Sequence, residues 1–217
     1  MFSRLKQASV RFTTLESKPV TRLKIVQAGE PVLRQAAQPL SAEQAGLAET
    51  QHLIQWMRDT MRDAPGVGLA APQVGLPIQL AVIEDRPEYS KDIPPQRLAE
   101  RERRSIDFHV LINPRIVAQS EEQIEFFEGC LSLAGFSALV KRSRAVAVEF
   151  RDEQYNPKRI EASGWYARIL QHEIDHLCGR LYIDCMEPRS FMSLENLNRY
   201  WKDLPVEVIR QHLGLEP

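Results

Sequence analysis

The sequence predicts an α+β fold in which antiparallel β-sheets pack around a long helix near the end of the chain. Two observations support this prediction. Short segments of strand character recur between residues 78 and 162, and turn signals such as Asn113-Pro114 separate several of them. A continuous helical segment then follows Gly164 and ends at Gly179. We therefore expect one core between the strands and this helix.

A first helix is expected ahead of the strands. Ser41 is suited to cap a helix of about 20 residues that runs to Asp63. Pro65 and Gly66 then interrupt the helical pattern. The apolar residues that recur at helical spacing form a stripe facing the core: Leu47, Ile54, Met57 and Met61.

The strands and the remaining helices follow in order. Residues 78–84 have the character of a buried strand. Residues 85–107 are polar and charged, and we expect a surface loop or insertion there, with a short helix near 98–104. Two short helices are expected at residues 190–202 and 205–213. The other predicted strands are 108–112, 115–118, 122–127, 136–140, 145–151 and 158–162.

The composition is that of a globular protein with one large domain. Of the 217 residues, 43% are hydrophobic and 26% are charged, which provides enough apolar side chain for a sizeable core. The formal net charge is −1, so we expect no direct nucleic-acid function and no membrane partner. Three cysteines are too few for a disulfide framework and indicate a reducing compartment.

Residues 1–20 are expected to be a disordered or targeting N-terminal extension. Arg4, Lys6 and Arg11 are basic and no acidic residue precedes Glu16, a bias that organellar transit peptides share. Because the basic stretch is short, the bacterial cytoplasm is the favoured location. The alternative is the mitochondrial matrix or a plastid.

The segment from His172 to His176 carries the pattern His-Glu-x-x-His. On a helix, residues four apart share a face, so both imidazoles can bind one metal ion with Glu173 beside it. A chain of this composition matches the pattern by chance roughly 0.01 times. The pattern therefore favours a metal-dependent hydrolase over a surface helix with two unrelated histidines.

Two histidines leave a tetrahedral metal site incomplete, so a third protein ligand is needed. Glu195 lies about 20 residues later, where a thermolysin-like site takes its third ligand. Cys130, Cys178 and Cys185 are the other candidates. Sequence spacing alone does not choose among them.

Three motifs together bear on this choice. They are Gly66-Val67-Gly68-Leu69-Ala70-Ala71-Pro72-Gln73, Glu128-Gly129-Cys130-Leu131-Ser132 and Gln171-His172-Glu173-Ile174-Asp175-His176-Leu177. In this order they resemble the peptide deformylase family, over roughly residues 23 to 190. The resemblance implies a metal-dependent hydrolase that removes the N-terminal formyl group from the formyl-methionine of newly synthesised polypeptides.

The resemblance also implies a role for each matching residue. Glu173 would be the general acid and base towards a metal-bound water. The side-chain amide of Gln73 and the backbone N–H of Leu131 would stabilise the developing oxyanion. The implied metal ligands, with water in the fourth position, are Cys130, His172 and His176.

One divalent metal ion is the implied cofactor. The family characteristically uses Fe²⁺, which a thiolate ligand supports, and Fe²⁺ is expected in the cell. Zn²⁺, Ni²⁺ or Co²⁺ suit the same ligands and can substitute.

An apolar pocket for the methionine side chain is expected beside the metal. Trp165 and Ile169 precede His172 by seven and three residues, on the same helix face. Val67 in the first motif is a further candidate, and plain core packing is the alternative for all three. Gly68 would let the substrate backbone approach closely, and Gly129 completes the predicted substrate-binding set.

Two segments resemble the mitochondrial and plant-organellar branch of the type 1 enzymes. The second motif continues as Leu133-Ala134-Gly135-Phe136, where many bacterial members have Val-Pro-Gly, and Ser163-Gly164-Trp165 precedes the third motif. The resemblance implies a catalytic domain over residues 21–190, extended by C-terminal helices over residues 191–217. Its expected partners are N-formyl-methionyl nascent peptides, with ribosome association as a further expectation.

Three alternatives remain open from the sequence. A zinc endopeptidase would use Glu195 as its third ligand and leave Gln73 and Cys130 without roles. A structural zinc protein without activity would complete its site with Cys178 and Cys185. A deformylase-like protein that only binds N-termini is the third alternative, against which intact Glu173 argues.

Overall fold

Two antiparallel sheets enclose a long helix in the computed structural model, which describes residues 22–215. The prediction of an α+β fold is confirmed. The strands are β1 (Gly68–Ala70), β2 (Leu80–Asp85), β3 (Ile106–Gln119), β4 (Gln123–Gly129), β5 (Phe136–Ser143), β6 (Ala145–Arg151), β7 (Pro157–Ser163) and β8 (Met192–Ser193). The helices are α1 (Ala42–Gly46), α2 (Ala48–Asp63), α3 (Pro95–Glu100), α4 (Gly164–Leu177), α5 (Leu194–Asn196) and α6 (Val206–His212).

Within residues 22–215, the larger sheet has the strand order β1-β2-β3-β6-β7 and the smaller has the order β4-β5-β8. The predicted strands at 108–112 and 115–118 form one strand, β3. Asn113 and Pro114 do not end it, because the pairing with β6 shifts register between Ile112 and Arg115. A bulge of this kind is where a strand tolerates proline.

The predicted helix from Ser41 to Asp63 is divided in two. Ser41 does cap α1, in a capping box with Gln44, as its position predicted. The chain then leaves helical geometry at Leu47, and the side chains of Thr50 and Gln51 accommodate the end of α1 by donating to its carbonyl oxygens.

This division changes the predicted apolar stripe. Leu47 is 48% exposed, so its placement in the core was wrong. The other members of the stripe are buried with the second strand of the larger sheet: Ile54, Met57 and Met61.

Helix α4 is buried on more than one side, which determines what its polar residues can do. Ala167, Leu170 and Ile174 pack in one cluster with Ile83 and Leu111 of the larger sheet. The helix also contacts β5 of the smaller sheet. Polar side chains of α4 therefore project into the protein interior.

Residues 86–105, which we call the β2–β3 segment, lie at the surface as predicted and contain short helical elements. They contain a 3-10 turn at Pro87–Tyr89 and the helix α3. Arg103 near the end of the segment pairs with Asp85, and the two side chains are 9% and 2% exposed. None of residues 86–105 is fully buried, and Arg103 is the residue through which the segment is anchored to β2.

The C-terminal part continues from α5 into a π-helix, Leu197–Trp201, and ends with α6. These helices fall within the two predicted helices at residues 190–202 and 205–213. Arg97 of the β2–β3 segment donates to the carbonyl oxygen of Lys202 at 3.0 Å. No helix within residues 22–215 combines the length and the apolar character that crossing a membrane requires. The predicted extension at residues 1–20 lies outside the described residues.

Candidate active site

A cysteine and two histidines converge at one point beside α4. His172 and His176 lie one turn apart on that helix, with ring centroids 5.0 Å apart. Cys130 comes directly after β4, at the start of a short 3-10 helix, Leu131–Leu133. One ligand atom from each residue lies within 4.8 Å of the other two.

The chemistry of this group fits a divalent metal ion. A thiol sulfur and two imidazole nitrogens are the donors that zinc and ferrous iron accept. The Cys130 sulfur lies 3.2 Å from Nε2 of His176, so both point to the same spot. Burial, together with neighbouring His172, lowers the pKa of His176, which keeps this imidazole in the neutral form that binds metals.

Glu128 orients the first of the histidines. His172 donates through Nδ1 to the Glu128 carboxylate at 3.0 Å, which leaves its Nε2 for the metal. Burial alone would raise the pKa of Glu128, but the hydrogen bond from His172 and the charge of Arg142 hold this pKa well below its usual range. The carboxylate is therefore ionised wherever the fold persists.

A buried ionic network surrounds this carboxylate. Arg142 donates two hydrogen bonds to Glu128 at 3.0 Å and also pairs with Asp175 of α4. Arg168 donates to the same carboxylate at 2.6 Å. Asp175 is only 6% exposed, so it belongs to the protein interior and not to the solvated surface of the helix.

No role was predicted from the sequence for Glu128, Arg142 or Arg168. One signal could have identified Arg142. It shares the strand face of Ala138 and Val140, and a charged residue in an apolar strand face must find a buried partner.

Glu173 is the one acidic side chain of α4 that lies beside the cysteine–histidine group without a partner of its own. It is 4% exposed, and its Oε2 atom is buried with no hydrogen-bond partner. Burial raises the pKa of Glu173 to about 7. A Cβ atom at Gly68 would lie 2.2 Å from Oε1 of Glu173, so the carboxylate packs directly on the backbone of β1.

Gln73 presents its amide group to the same point. Its Oε1 accepts from the backbone N–H of Ala70 at 2.8 Å. Its Nε2 therefore faces the Cys130 sulfur and the Ser132 hydroxyl, each at 3.4 Å. Leu131 begins the 3-10 helix after Cys130, where a backbone N–H has no acceptor within its own helix.

These groups open into a cavity of about 480 Å³. The cavity is lined by all five predicted substrate-binding residues: Val67, Gly68, Gly129, Trp165 and Ile169. It is also lined by the predicted catalytic residues and two of the ligands: Gln73, Leu131, Glu173, Cys130 and His172. Three charged residues without a predicted role also line it: Arg103, Glu128 and Arg168.

The rival third ligands lie elsewhere. Glu195 is exposed on α5, and Cys178 and Cys185 are exposed beyond the end of α4. Among residues 22–215, the group able to hold a metal comprises the cysteine after β4 and the two histidines of α4. Neither the endopeptidase nor the structural-zinc alternative is favoured.

Comparison with known proteins gives a consistent result. Residues 22–191 match the family model described as polypeptide deformylase. The chain is 43% identical over 200 residues to peptide deformylase 1A, chloroplastic, of Solanum lycopersicum, covering 92% of this chain and 70% of that protein. It is 46% identical over 184 residues to peptide deformylase 1 of Bifidobacterium longum, covering 85% and 82%. It is 40% identical over 177 residues to the human mitochondrial peptide deformylase, covering 82% and 71%.

Solved structures agree with these relatives. The Met-Ala-Ser-bound class I type b peptide deformylase of Acinetobacter baumannii superposes with a TM-score of 0.69 at 30% identity, covering 77% of this chain and 99% of that one. The Synechococcus elongatus peptide deformylase in complex with actinonin gives a TM-score of 0.64 at 33% identity, covering 97% and 96%. The resemblance drawn from the three motifs is confirmed, and the chain belongs to the polypeptide deformylase family of metal-dependent enzymes that remove N-terminal formyl groups.

Proposed function

We propose that this deformylase acts on the formyl-methionine of newly synthesised polypeptides, with Glu173 as its general acid and base. One observation carries the proposal: Glu173, which has a buried carboxylate oxygen without a partner, lines the same cavity as Gln73 and as Cys130 and His172 of the Cys130–His172–His176 group. A buried carboxylate without a partner is costly unless a ligand or a reacting group uses it.

We assign the metal to Cys130, His172 and His176. When bound there, a divalent ion polarises a carbonyl oxygen and makes water acidic enough to attack at neutral pH. Glu128 fixes the His172 ring through the hydrogen bond to Nδ1, so that the ring is ready to bind before the metal arrives.

Glu173 performs the proton transfers of the reaction. It accepts a proton from the water that attacks the formyl carbon, and it passes this proton to the leaving amine of methionine when the C–N bond breaks. The products are formate and a peptide with a free N-terminus. Burial of Glu173 supports this role, because few waters can compete for the proton.

Two N–H groups stabilise the negative charge on the formyl oxygen. The Gln73 amide has its oxygen held by Ala70, so its N–H bonds are directed into the site before substrate binds. The backbone N–H of Leu131 is the second donor. Fixed donors of this kind stabilise a developing oxyanion without further reorganisation.

The methionine side chain occupies the apolar part of the cavity, beside Val67, Trp165 and Ile169. Gly68 and Gly129 allow the peptide backbone to approach the strand edges on either side. The peptide in the Acinetobacter baumannii structure, Met-Ala-Ser, begins with methionine and supports this substrate class.

Ferrous iron is our proposal for the ion used in the cell, because one thiolate among the ligands supports it. Zinc, nickel and cobalt suit the same donors. Metal analysis of anaerobically purified protein tests the assignment. Iron-loaded protein should lose activity in air while nickel-loaded protein should not, because oxygen reacts with the ferrous ion and its thiolate.

The decisive experiment measures formate release from formyl-Met-Ala-Ser by iron-loaded protein, with Glu173→Gln as the comparison. We expect the variant to lose at least about 10²-fold in kcat, as for other general bases, and to keep its metal. A folded, metal-loaded parent that releases no formate would overturn the proposal. A Glu173→Gln variant of full activity would overturn the role of Glu173 alone.

The proposal also covers the limits of the catalytic domain and the location of the protein in the cell. We assign the catalytic domain to residues 21–190 and treat residues 191–217 as its helical extension, which the buried Ile209 and the ion pair of Arg210 with Glu125 support. We keep the bacterial cytoplasm as the location, with the mitochondrial matrix or a plastid as the alternative, since relatives of all three kinds occur.

Two experiments test this setting. Residues 1–21 fused to a fluorescent protein should stay outside isolated mitochondria and chloroplasts, and import into either would reverse the assignment. Ribosomes that carry formylated nascent chains should co-sediment with the protein more strongly than empty ribosomes do, if the nascent chain is the substrate in the cell.

A further inference from the structure

The β2–β3 segment reaches the N-terminal end of α4. The backbone N–H of Trp165 donates to the carbonyl oxygen of Arg101 at 2.8 Å. Gly164, at φ +57°, makes this contact feasible, because a Cβ atom there would lie 2.7 Å from that oxygen and 2.5 Å from Cβ of Glu102. The segment and the helix that carries the metal ligands are therefore in direct backbone contact.

Arg103 is the fixed point of this contact. It donates to both carboxylate oxygens of Asp85, at 2.8 and 2.9 Å, and both side chains are nearly inaccessible to solvent. A paired guanidinium fork of this kind is held in one orientation.

The guanidinium of Arg103 lies over the Trp165 ring, with its central carbon 4.9 Å from the ring centroid. Arg101 lies over the same ring at 5.6 Å. Cation–π attraction is strongest where water is excluded, so these two arginines hold the indole ring in one place. Both Arg103 and Trp165 line the catalytic cavity.

We propose that Arg103, held by Asp85, is a positioning residue that fixes Trp165 in the wall of the side-chain pocket and so sets selectivity for methionine at the substrate N-terminus. The β2–β3 segment is then part of the active site. This inference rests on the proposed function, since it concerns the substrate of the same cavity.

The expected effect follows from what an indole ring offers a thioether. Sulfur and aromatic rings attract each other, and a long flexible side chain gains this contact only if the ring is fixed. A mobile Trp165 would weaken binding of methionine more than binding of alanine, which does not reach the ring. The proton transfers at the formyl group would be unaffected.

The experiment compares the replacement of two ion pairs whose acidic residues, Asp85 and Glu84, are neighbours on β2. The test variant is Arg103→Gln with Asp85→Asn, which removes both charges together and leaves neither buried alone. The control is Arg62→Gln with Glu84→Gln. That pair is also bidentate, at 2.6 Å for both bonds, and Arg62 also lies over an aromatic ring, but neither residue lines the cavity.

The readout is kcat/KM for formyl-Met-Ala-Ser divided by kcat/KM for formyl-Ala-Ala-Ser, with iron-loaded protein. We expect this ratio to fall about tenfold in the test variant, the scale of a lost apolar contact, chiefly through KM for the methionine substrate. The control should keep the parental ratio.

Fluorine NMR of protein labelled with fluorotryptophan provides a second readout. The Trp165 resonance is the one that Trp165→Phe removes. We expect it to shift or broaden in the test variant, while the resonances of Trp56 and Trp201 stay in place.

Each outcome decides the matter. A folded, active test variant with the parental ratio would overturn the role of Arg103 and leave the proposed function intact. An equal fall of the ratio in the control would also overturn it, because the effect would then be a general loss of packing. A parent without formate release would overturn the proposed function and this inference together.

Discussion

Glu173 keeps its position because residue 68 has no side chain. A Cβ atom at Gly68 would overlap the Glu173 carboxylate, with the shortest distance 2.2 Å. A glycine of the first motif therefore makes room for a side chain of the third motif. Gly68 is required by the Glu173 carboxylate, far away in sequence, and not by its own backbone angles.

We expect Gly68→Ala to displace the Glu173 carboxylate and to lower kcat by about 10²-fold, the usual effect of a misplacement near 1 Å. Metal content should stay at the parental level, because the three atoms nearest to an added Cβ all belong to Glu173 and none to a proposed ligand. The measurements are steady-state formate release and metal analysis. Gly46→Ala is the matched control, since a Cβ atom there meets nothing within 4 Å.

A Gly68→Ala variant of parental kcat would mean that Glu173 does not need its present position. Loss of the metal together with activity would mean that β1 supports the ligands instead.

The residues of the site differed in how far the sequence could predict them. The sequence predicted that His172 and His176 lie together, because residues four apart share one face of a helix. Cys130 was not readable from spacing, because nothing local specifies how β4 lies against α4, and only the three motifs together indicated it. The partners of Glu128 were missed because Arg142 and Arg168 look like ordinary surface arginines until the strand and helix faces are known.

At the scale of elements, β4, β5 and α4 are joined by ion pairs in their common interior. Glu128 of β4 and Asp175 of α4 both depend on Arg142 of β5. The three residues are each less than a tenth exposed. Removing the arginine would take one cationic partner from each of two buried carboxylates, leaving Glu128 with Arg168 and Asp175 with Arg180.

We therefore expect Arg142→Met to lower the free energy of unfolding by about 3–5 kcal/mol, the cost of breaking a buried ion pair from one side. Urea unfolding monitored by circular dichroism measures it. Arg115→Met is the control: its ion pair with Glu149 is 74% and 45% exposed, and we expect a change within about 0.5 kcal/mol. Equal losses in both variants would contradict the network's role.

The ion pair between α2 and β2 should make stability depend on pH. The hydrogen bond from Arg62 lowers the pKa of Glu84, although burial opposes this. Because the folded-state pKa lies below the unfolded value, the pair stabilises the fold above that unfolded value. This contribution is lost as the pH falls through the folded pKa.

We expect Glu84→Gln to cost about 1 kcal/mol near neutral pH, and the gap to the parent to close as the medium becomes acidic. Urea unfolding at a series of pH values measures the gap. Glu149→Gln, at an exposed pair, should differ little from the parent at any pH. A gap for Glu84→Gln that widens in acid would contradict this account.

Elements were predictable in type more than in their limits. The break at Leu47 was missed because its cause is local side-chain bonding at the end of α1, not a change in apolar spacing. The two strands predicted on either side of Asn113 are one strand, because Asn113-Pro114 lies in a β-bulge and not in a turn. The β2–β3 segment lies at the surface as predicted, but the ion pair of Arg103 with Asp85 was not predicted, because charge in a sequence does not reveal whether its partner is buried.

At the scale of the whole molecule, the site is the junction of parts that do not touch in sequence. The first motif contains β1, the cysteine follows β4 in the other sheet, and the histidines come from α4 between the sheets. A metal bound by both Cys130 and α4 therefore links the smaller sheet to the central helix. It should stabilise the folded state but not the unfolded chain.

Metal removal tests this link. At a free metal concentration 100 times the dissociation constant, binding adds about 2.7 kcal/mol, which corresponds to about 5–10 °C in melting temperature for a chain of this size. We expect the metal-loaded parent to melt that much above the chelator-treated protein. Cys130→Ala should lose the difference, since the substitution removes one of the three proposed protein ligands. Cys178→Ala is the matched control and should keep the difference, because that cysteine is exposed and outside the ligand group.

The opposite result, with Cys178→Ala losing the metal and Cys130→Ala keeping it, would contradict the ligand assignment. It would restore the structural-zinc alternative, because a closed four-ligand site also stabilises the fold but leaves no position for water.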